Sequence, residues 1–302
     1  MVETTDYHIP VMAAECLEAL AIKEGGTYVD ATFGGGGHAQ LILNDTRVSR
    51  LFGIDQDADA IKNKWNDERL TLINHNYRFM KHFLKYYKAV PVDGILADLG
   101  ISSFQINEGS KGFSYRFDER IDMRMDRDAE IDAVYVLNNY TTTELTAIFK
   151  EYGELKNAWH ISESIVQYRS GNQIETVGNL LEAIRSQTPK MGDYAFLSKV
   201  FQALRIEVNN EIENLELFLH QCNEVLKPGG RLVIMSYHSL EDRVVKNFIN
   251  TGNTEGVVQK DGFGNLQRPF EPVVKKPITP GEKELIQNPR SRSAKLRIAE
   301  KI

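Results

Sequence analysis

The 302-residue chain is predicted to be an α/β protein: a Rossmann-like, mainly parallel sheet that carries an inserted all-helical domain. Three observations point there. Short β-rich runs alternate with helical text as far as residue 97, the alternation then gives way to helices alone, and a long amphipathic helix followed by another strand returns from about residue 211.

The first four strands are expected at TYVDA (27–31), RLFGI (50–54), RLTLI (69–73) and VDGILA (92–97), each bounded by loop or helix text, the βαβ pattern of a parallel sheet. From about 106 to 199 the text is a charged loop and then capped helices. TTTELTAIFKEYG offers Thr142 or Thr143 as N-cap, Leu145, Ile148, Phe149 and Tyr152 as an apolar stripe, and Gly153 as terminator. TVGNLLEAIRS repeats the pattern, with Thr176 as cap and Leu180, Leu181 and Ile184 as stripe. EIENLELFLHQCNEVL then aligns Ile212, Leu215, Phe218, Leu219, Cys222 and Leu226, and Lys-Pro-Gly-Gly ends that helix before a strand RLVIMS from residue 231. A sheet interrupted after four strands and completed far downstream implies one domain holding another: residues 1–105 and 201–302 around a loop and helical insertion at 106–200.

The formal net charge of −6 argues against a general nucleic-acid binder, but the charge is uneven. Residues 260–302 hold ten Lys+Arg against five Asp+Glu, leaving 26 against 37 for the rest, a basic tail on an acidic body. Two cysteines, Cys16 and Cys222, both in helical apolar text, exclude a disulfide framework or cysteine-rich metal site. The histidines show no metal-ligand spacing. The start has no basic segment followed by an apolar one, and no apolar run nears the roughly 20 residues that span a bilayer, so a cytoplasmic protein without a membrane partner is expected.

The strand TYVDA runs into Thr32-Phe33-Gly34-Gly35-Gly36-Gly37-His38 and then into helical text. Glycines at a strand-to-helix turn let the backbone approach a ligand beside the unpaired N–H groups of the helix start, the arrangement of a nucleotide-cofactor site. As a merely structural turn, four glycines would be wasteful, at about 0.5–1 kcal/mol each relative to alanine. Gly34, Gly36 and Ala39 also satisfy G-x-G-x-x-A, which makes a nicotinamide-dependent oxidoreductase a rival. Asp30 tilts the choice, because a carboxylate inside the first strand suits the ammonium of S-adenosylmethionine. Asp55, 21 residues after Gly34, stands where a carboxylate accepts ribose hydroxyls of either cofactor. Tyr77 and Asp98 follow at the ends of the third and fourth strands, where such sheets bind ligands.

HIPV, YVDATFGGGGH, GIDQD, DGILADLGISSFQ, GFSY with DMRMD, FQALRIEVNNE, LKPGGRLVIMSYHSLEDR and NPRSRSAKLR run in order from His8 to Arg297. Together they resemble the bacterial 16S ribosomal RNA cytosine-N4 methyltransferases, which modify a cytidine of the decoding centre. The resemblance implies a class I methyltransferase sheet, S-adenosylmethionine as cofactor, and 16S ribosomal RNA, within a small-subunit particle, as substrate. It implies cofactor contacts at Gly36, Gly37, His38, Asp55, Tyr77, Asp98 and Gln105. Tyr77 stands where the family has phenylalanine and Ala39 where it has serine. A Gly-Pro-Leu before DMRMD and a Pro-Ala-Thr-Arg approach to the helix FQALRI are missing, which leaves the contacts of the insertion open.

Displacement at a sulfonium needs alignment and exclusion of water, with no metal and no covalent intermediate. Carbon-5 methylation of a pyrimidine would need an attacking cysteine, and neither cysteine stands at a strand end, so an exocyclic amino nitrogen is the expected target. Asp98, a nearby serine or a backbone carbonyl is expected to accept its N–H, and His238, directly after RLVIMS, is the second catalytic candidate beside its reading as a structural histidine. Lys275, Lys276, Arg290, Arg292, Lys295 and Arg297 are candidates for phosphate contacts or for a solvated tail. Arg116, Arg120, Arg124 and Arg127 alternate with acids, and Trp159 reads as helix core. A catalytically silent RNA-binding assembly factor remains a second rival, and a homodimer and the assembly state of the substrate are left open.

Overall fold

A computed structural model describes residues 10–62, 65–101 and 111–302. They form two compact units, one of Met1–Gly100 with Ile212–Ile302 and one of Ile101–Glu211.

The first unit is built on seven strands: β1 (Gly26–Asp30), β2 (Val48–Asp55), β3 (Leu70–Asn74), β4 (Val92–Asp98), β5 (Leu226–Ser236), β6 (Phe270–Pro272) and β7 (Lys295–Lys301). Their order in the sheet is β3-β2-β1-β4-β5-β7-β6; β1 to β5 pair in parallel, and β7 runs antiparallel to both β5 and β6. This is the Rossmann-like α/β sheet that the residue pattern predicts. The central strands are covered on both faces, so β4 is buried from Val92 to Ala97 and reads as an almost unbroken apolar run.

Alternation along the strands feeds two cores. Val29, Phe52, Ile54, Ile95, Leu232 and Ile234 face a cluster that includes Leu215, Phe218, Leu219, Cys222 and Val225. Those five come from α10 (Glu211–Val225), the predicted amphipathic helix. Tyr28, Leu51, Leu96, Val233 and Met235 face the opposite cluster with Cys16 and Leu20 of α1 (Ala13–Leu20) and Ala39, Ile42 and Leu43 of α2 (Gly37–Asn44). With a period of two, Asp30, Asp55 and Asp98 share the parity of Tyr28, Leu51 and Leu96, so all three belong to the face of α1 and α2.

The strand expected from residue 231 already starts pairing at Leu226, opposite Val92. The ladder then breaks, with Gly229 at φ 74°, and resumes where Arg231 meets Gly94. Lys227 to Gly230 thus lie in an irregularity of β5 rather than before it, Lys227 pairing with Asp93. Among the described residues four further helices complete the unit: α3 (Ala58–Ile61), α4 (Met80–Tyr86), α11 (Ser239–Thr251) and α12 (Glu282–Gln287).

The second unit is helical: α5 (Ala133–Asn139), α6 (Thr142–Glu151), α7 (Ala158–Arg169), α8 (Val177–Ala183) and α9 (Asp193–Asn209). Its core gathers Leu145, Ile148, Phe149, Ile161, Ile165, Leu180, Val200 and Leu204. The cap of α6 is Thr141, not Thr142 or Thr143: its hydroxyl accepts the Glu144 N–H while Glu144 reaches back to the Thr141 N–H. Thr176 caps α8 as expected, in the same reciprocal manner with Asn179. In the charged loop Arg124 is tied to Asp122 and Arg120 to Asp132, both at 2.8 Å. Trp159, expected in the core, is 49% exposed on α7.

Candidate active site

The strand order reverses between β1, whose other neighbour is β2, and β4, whose other neighbour is β5. Such a switch point opens a crevice at the carboxyl ends of the strands, and Asp30 and Asp98 terminate these two. The sheet continues briefly past both, with the Ala31 N–H on the Leu96 carbonyl at 2.8 Å and the Leu99 N–H on the Met235 carbonyl at 2.9 Å.

The glycine turn starts there. Gly34 (φ 53°) and Gly36 (φ 78°) adopt left-handed backbone that glycine takes without strain. A Cβ on Gly36 would lie 2.6 Å from the Trp65 ring and 2.9 Å from Phe33, which stack on each other. Gly36 is the N-cap of α2 and Gly37 its first residue, packed so that a Cβ would press on Pro10 at 3.3 Å. The unpaired N–H groups of that helix start therefore open at the end of β1.

Asp55 holds this turn from β2. Its Oδ2 accepts the Gly34 N–H at 2.7 Å and its Oδ1 the Asp57 N–H at 2.8 Å.

Asp30 and Asp98 sit deeper. Asp30 is 1% exposed, and its Oδ1 accepts the Thr32 N–H at 3.2 Å, while among the described residues its Oδ2 has no hydrogen-bond partner. Burial pushes its pKa up to about 6, against the opposing pull of His38 and the Thr32 bond. Asp98 keeps about a quarter of its side chain open, 24%, yet the dense surroundings hold its pKa up at about 7, a bond from Tyr237 pulling down and Glu241 pushing up. Its main-chain N–H is bound by Thr32 Oγ1 at 2.6 Å and its Oδ1 accepts the Tyr237 hydroxyl at 2.8 Å.

His38 lies between the two acids. Its Nε2 is 3.0 Å from the Val11 carbonyl, an acceptor only, so the proton stands on Nε2 and the lone pair of Nδ1 faces Asp98 Oδ2 at 3.9 Å. Burial lowers its pKa, in keeping with the neutral ring.

Of the remaining predicted residues, Tyr77 begins a short 3-10 turn after β3 and rests edge-on against Phe218, ring centres 5.0 Å apart. Gln105, with Ser102 and Ser103, lies outside the described residues. His238 serves as N-cap of α11: its Nδ1 accepts the Glu241 N–H at 3.4 Å. Its Nε2 lies 3.2 Å from Glu241 Oε1 without the alignment of a hydrogen bond. The structure thus gathers Gly36, Gly37, His38, Asp55 and Asp98 at one sheet edge and turns His238 toward Glu241. Two neighbours escaped the sequence reading. Tyr237 stands beside the noticed His238 and was legible as a hydroxyl-bearing ring just past a strand end; Thr32 lay inside the glycine motif itself.

Lys295 and Arg297, read as possible phosphate contacts, are instead tied to Asp242 at 3.1 and 2.7 Å. Cys16 and Cys222 are free and buried, and burial drives both thiols well above their ordinary range. No helix among the described residues is long and apolar enough to cross a membrane.

A buried carboxylate oxygen without a hydrogen-bond partner among the described residues, a glycine turn shaped for close approach and a second carboxylate beside it fit a small ligand bearing both a cationic amine and hydroxyls. The sequence profile of the MraW methylase family matches residues 5–302. The chain belongs to the MraW methylase family. Among its relatives, the ribosomal RNA small subunit methyltransferase H of Bacteroides fragilis is 51% identical over 300 residues, covering 99% of both chains. The protein of that name from Flavobacterium johnsoniae is 47% identical over 303 residues, covering 100% of both. A crystal structure of an rRNA methylase from Streptococcus thermophilus covers 96% of this chain and 95% of its own at 14% identity, with a TM-score of 0.41. Family membership makes this chain an enzyme of methyl transfer with S-adenosylmethionine as cofactor. Neither the nicotinamide-dependent oxidoreductase nor the silent assembly factor finds support among relatives named as methyltransferases.

Proposed function

We propose that this chain is the small-subunit ribosomal RNA methyltransferase that places a methyl group on the exocyclic N4 of a decoding-centre cytidine of 16S RNA, working in the cytoplasm where the subunit is made. The observation that carries the reading is the pair of carboxylates, the buried Asp30 and the partly open Asp98, at the switch point of the sheet beside a glycine turn. The relatives at about half identity, all named for small-subunit ribosomal RNA, supply the substrate class.

S-adenosylmethionine supplies an electrophilic methyl group on a charged sulfur. Asp30 Oδ2, without a hydrogen-bond partner among the described residues, takes the ammonium end, which favours its ionised form against burial. The Gly36 and Gly37 backbone lets the ligand lie close to the start of α2, and His38, pinned by Val11, walls that side. Asp55 accepts the ribose hydroxyls while still anchoring the turn through Gly34. Tyr77 offers an aromatic face for the base, and Gln105 completes the set carried over from the family.

The acceptor nitrogen shares its lone pair with the pyrimidine ring, so a base that takes up its N–H localises density as the new bond forms. Asp98, with Oδ2 not engaged by Tyr237, is that acceptor, and a pKa near 7 suits it to receive and release a proton at working pH. His238, anchored as a helix cap directly after Tyr237 in sequence, is assigned to the rim beside the base. Buried, protonated thiols at Cys16 and Cys222 offer no nucleophile for attack on ring carbon, which favours the amino nitrogen.

The test is mass mapping of modified nucleotides in ribosomal RNA from cells lacking the protein. One methyl group on a single 16S cytidine is expected to disappear and to return with purified enzyme and labelled methyl donor on small-subunit particles; an unchanged map overturns the reading.

A further inference from the structure

Tyr237 has no task in the scheme above, yet it makes the closest side-chain contact to its central carboxylate. The residue follows β5 directly, and its ring packs against the cluster of Met12, Cys16, Met235 and Leu296. Its main-chain N–H is held by Glu241 Oε2 at 3.0 Å, so both ends of the residue are fixed. The hydroxyl donates to Asp98 Oδ1 at 2.8 Å. Across the carboxylate, among the described residues Oδ2 faces His38 Nδ1 at 3.9 Å, beyond a hydrogen bond. With the Asp98 main chain pinned to Thr32, the carboxylate has one oxygen occupied by the phenol and the other, Oδ2, on the side of His38.

We propose that Tyr237 is a positioning residue for methyl transfer: by occupying Asp98 Oδ1 it aims Oδ2 at the amino N–H of the target base and keeps that oxygen an acceptor rather than a donor. The inference rests on the functional reading above. A carboxylic acid whose protonated form finds no acceptor nearby is free to rotate and carry its proton on either oxygen; a phenol that donates to one oxygen favours the ionised form and one rotamer. In agreement, the Tyr237 bond lowers the Asp98 pKa against burial and Glu241, and burial and Asp98 together drive the phenol itself upward, so the phenol stays the donor. The other titratable groups facing this pair are Asp30 at the end of β1, His38 on α2, Cys16 on α1 and Glu241 on α11. Replacing the phenol by a phenyl ring leaves all of them in place.

The experiment compares wild type and Tyr237→Phe in single-turnover methyl transfer to small-subunit particles, from about pH 6 to 9, with affinity for S-adenosylhomocysteine and the melting curve measured alongside. Loss of the donor moves the acid limb of the rate profile up by about one unit, which at pH 7 is about a fivefold slower turnover that recovers toward pH 9. Affinity for S-adenosylhomocysteine changes less than about threefold, because the hydroxyl meets the acceptor side of the site. An acid limb that coincides with wild type overturns the proposal, whatever the rate. Should Tyr237→Phe melt below the assay temperature, 3-fluorotyrosine incorporated at position 237 keeps the packing and makes a stronger donor: its acid limb moves down, and an unmoved limb is again fatal. If wild type transfers no methyl group to these particles, the functional reading fails and this inference with it; if wild type is active and the limbs coincide, only the inference fails.

Discussion

Asp55 at the end of β2 and the pair Asp30 and Asp98 at the ends of β1 and β4 are the same residue type at the same edge of one sheet, and the protein treats them in opposite ways. Asp55 accepts a backbone N–H on each oxygen, at 2.7 and 2.8 Å, so the fold supplies its counter-dipoles. Asp30 has one oxygen bonded and the other without a partner among the described residues, and burial raises its pKa to about 6. The difference separates two tasks. A carboxylate that meets neutral hydroxyls can be satisfied beforehand by the backbone, whereas one that must meet a cation or a developing N–H is left short of donors until that partner arrives.

That contrast breaks or stands on mutations at the three acids. The largest effect is expected from Asp98→Asn, which removes the proton acceptor and keeps the shape: turnover on small-subunit particles falls about 10³-fold, within the range general base catalysis supplies. Normal turnover with normal cofactor affinity would remove Asp98 from the mechanism. Next come Asp30→Asn and Asp55→Asn, which should move the stability of the ligand-free protein in opposite directions at pH 8. Asp55→Asn loses charge-assisted bonds to two backbone N–H groups and melts lower, by about 1–3 kcal/mol. Asp30→Asn removes a buried charge and melts higher, while affinity for S-adenosylmethionine falls about 10²-fold. The same sign for both in the melting assay would erase the distinction drawn here.

The pH dependence follows from the same shift. A carboxyl whose folded pKa is raised holds a proton that the unfolded chain has already released, so its contribution to stability is present below about pH 4 and is lost as pH rises toward 6 for Asp30 and toward 7 for Asp98. For Asp30 alone that amounts to about 2–3 kcal/mol. Chemical denaturation of the ligand-free protein between pH 4.5 and 7.5 should show this decline, and Asp30→Asn should flatten it; a wild-type profile rising through that window contradicts the raised pKa. The smallest effect serves as a control. Thr141→Ala breaks the capping box of α6 in the other unit and should cost about 1 kcal/mol in the melt while leaving cofactor affinity untouched.

The fold class was legible in the sequence because parallel strands buried on both faces must read as apolar runs, and the helices between them as 3.6-residue stripes, as 92–97 and Leu215 to Cys222 do. The glycine turn was legible for the same local reason. Detail that depends on which of several equal residues is used was not. Among Thr141, Thr142 and Thr143 the cap is the one with glutamate three places on, a spacing present in the text and outvoted by proximity to the apolar stripe. Trp159 reads as helix core, but α7 buries Ala158, Ile161, Ser162 and Ile165 and leaves the indole half open. Lys295 and Arg297 looked like free cations because their partner, Asp242, is more than fifty positions away in the chain.

The sequence by itself determined the sheet, the helical insertion, the glycine turn and the series of acids at strand ends, since each is written in spacing over a few residues. Only the tertiary structure decided that Asp30, Asp55 and Asp98 lie on one face of that sheet, that backbone amides satisfy one of them and burial starves another, and that a phenol after β5 reaches across to Asp98. Charge state and hydrogen-bond supply are set by what surrounds a group in three dimensions, and the neighbours that matter here are separated by 21, 66 and 139 positions along the chain.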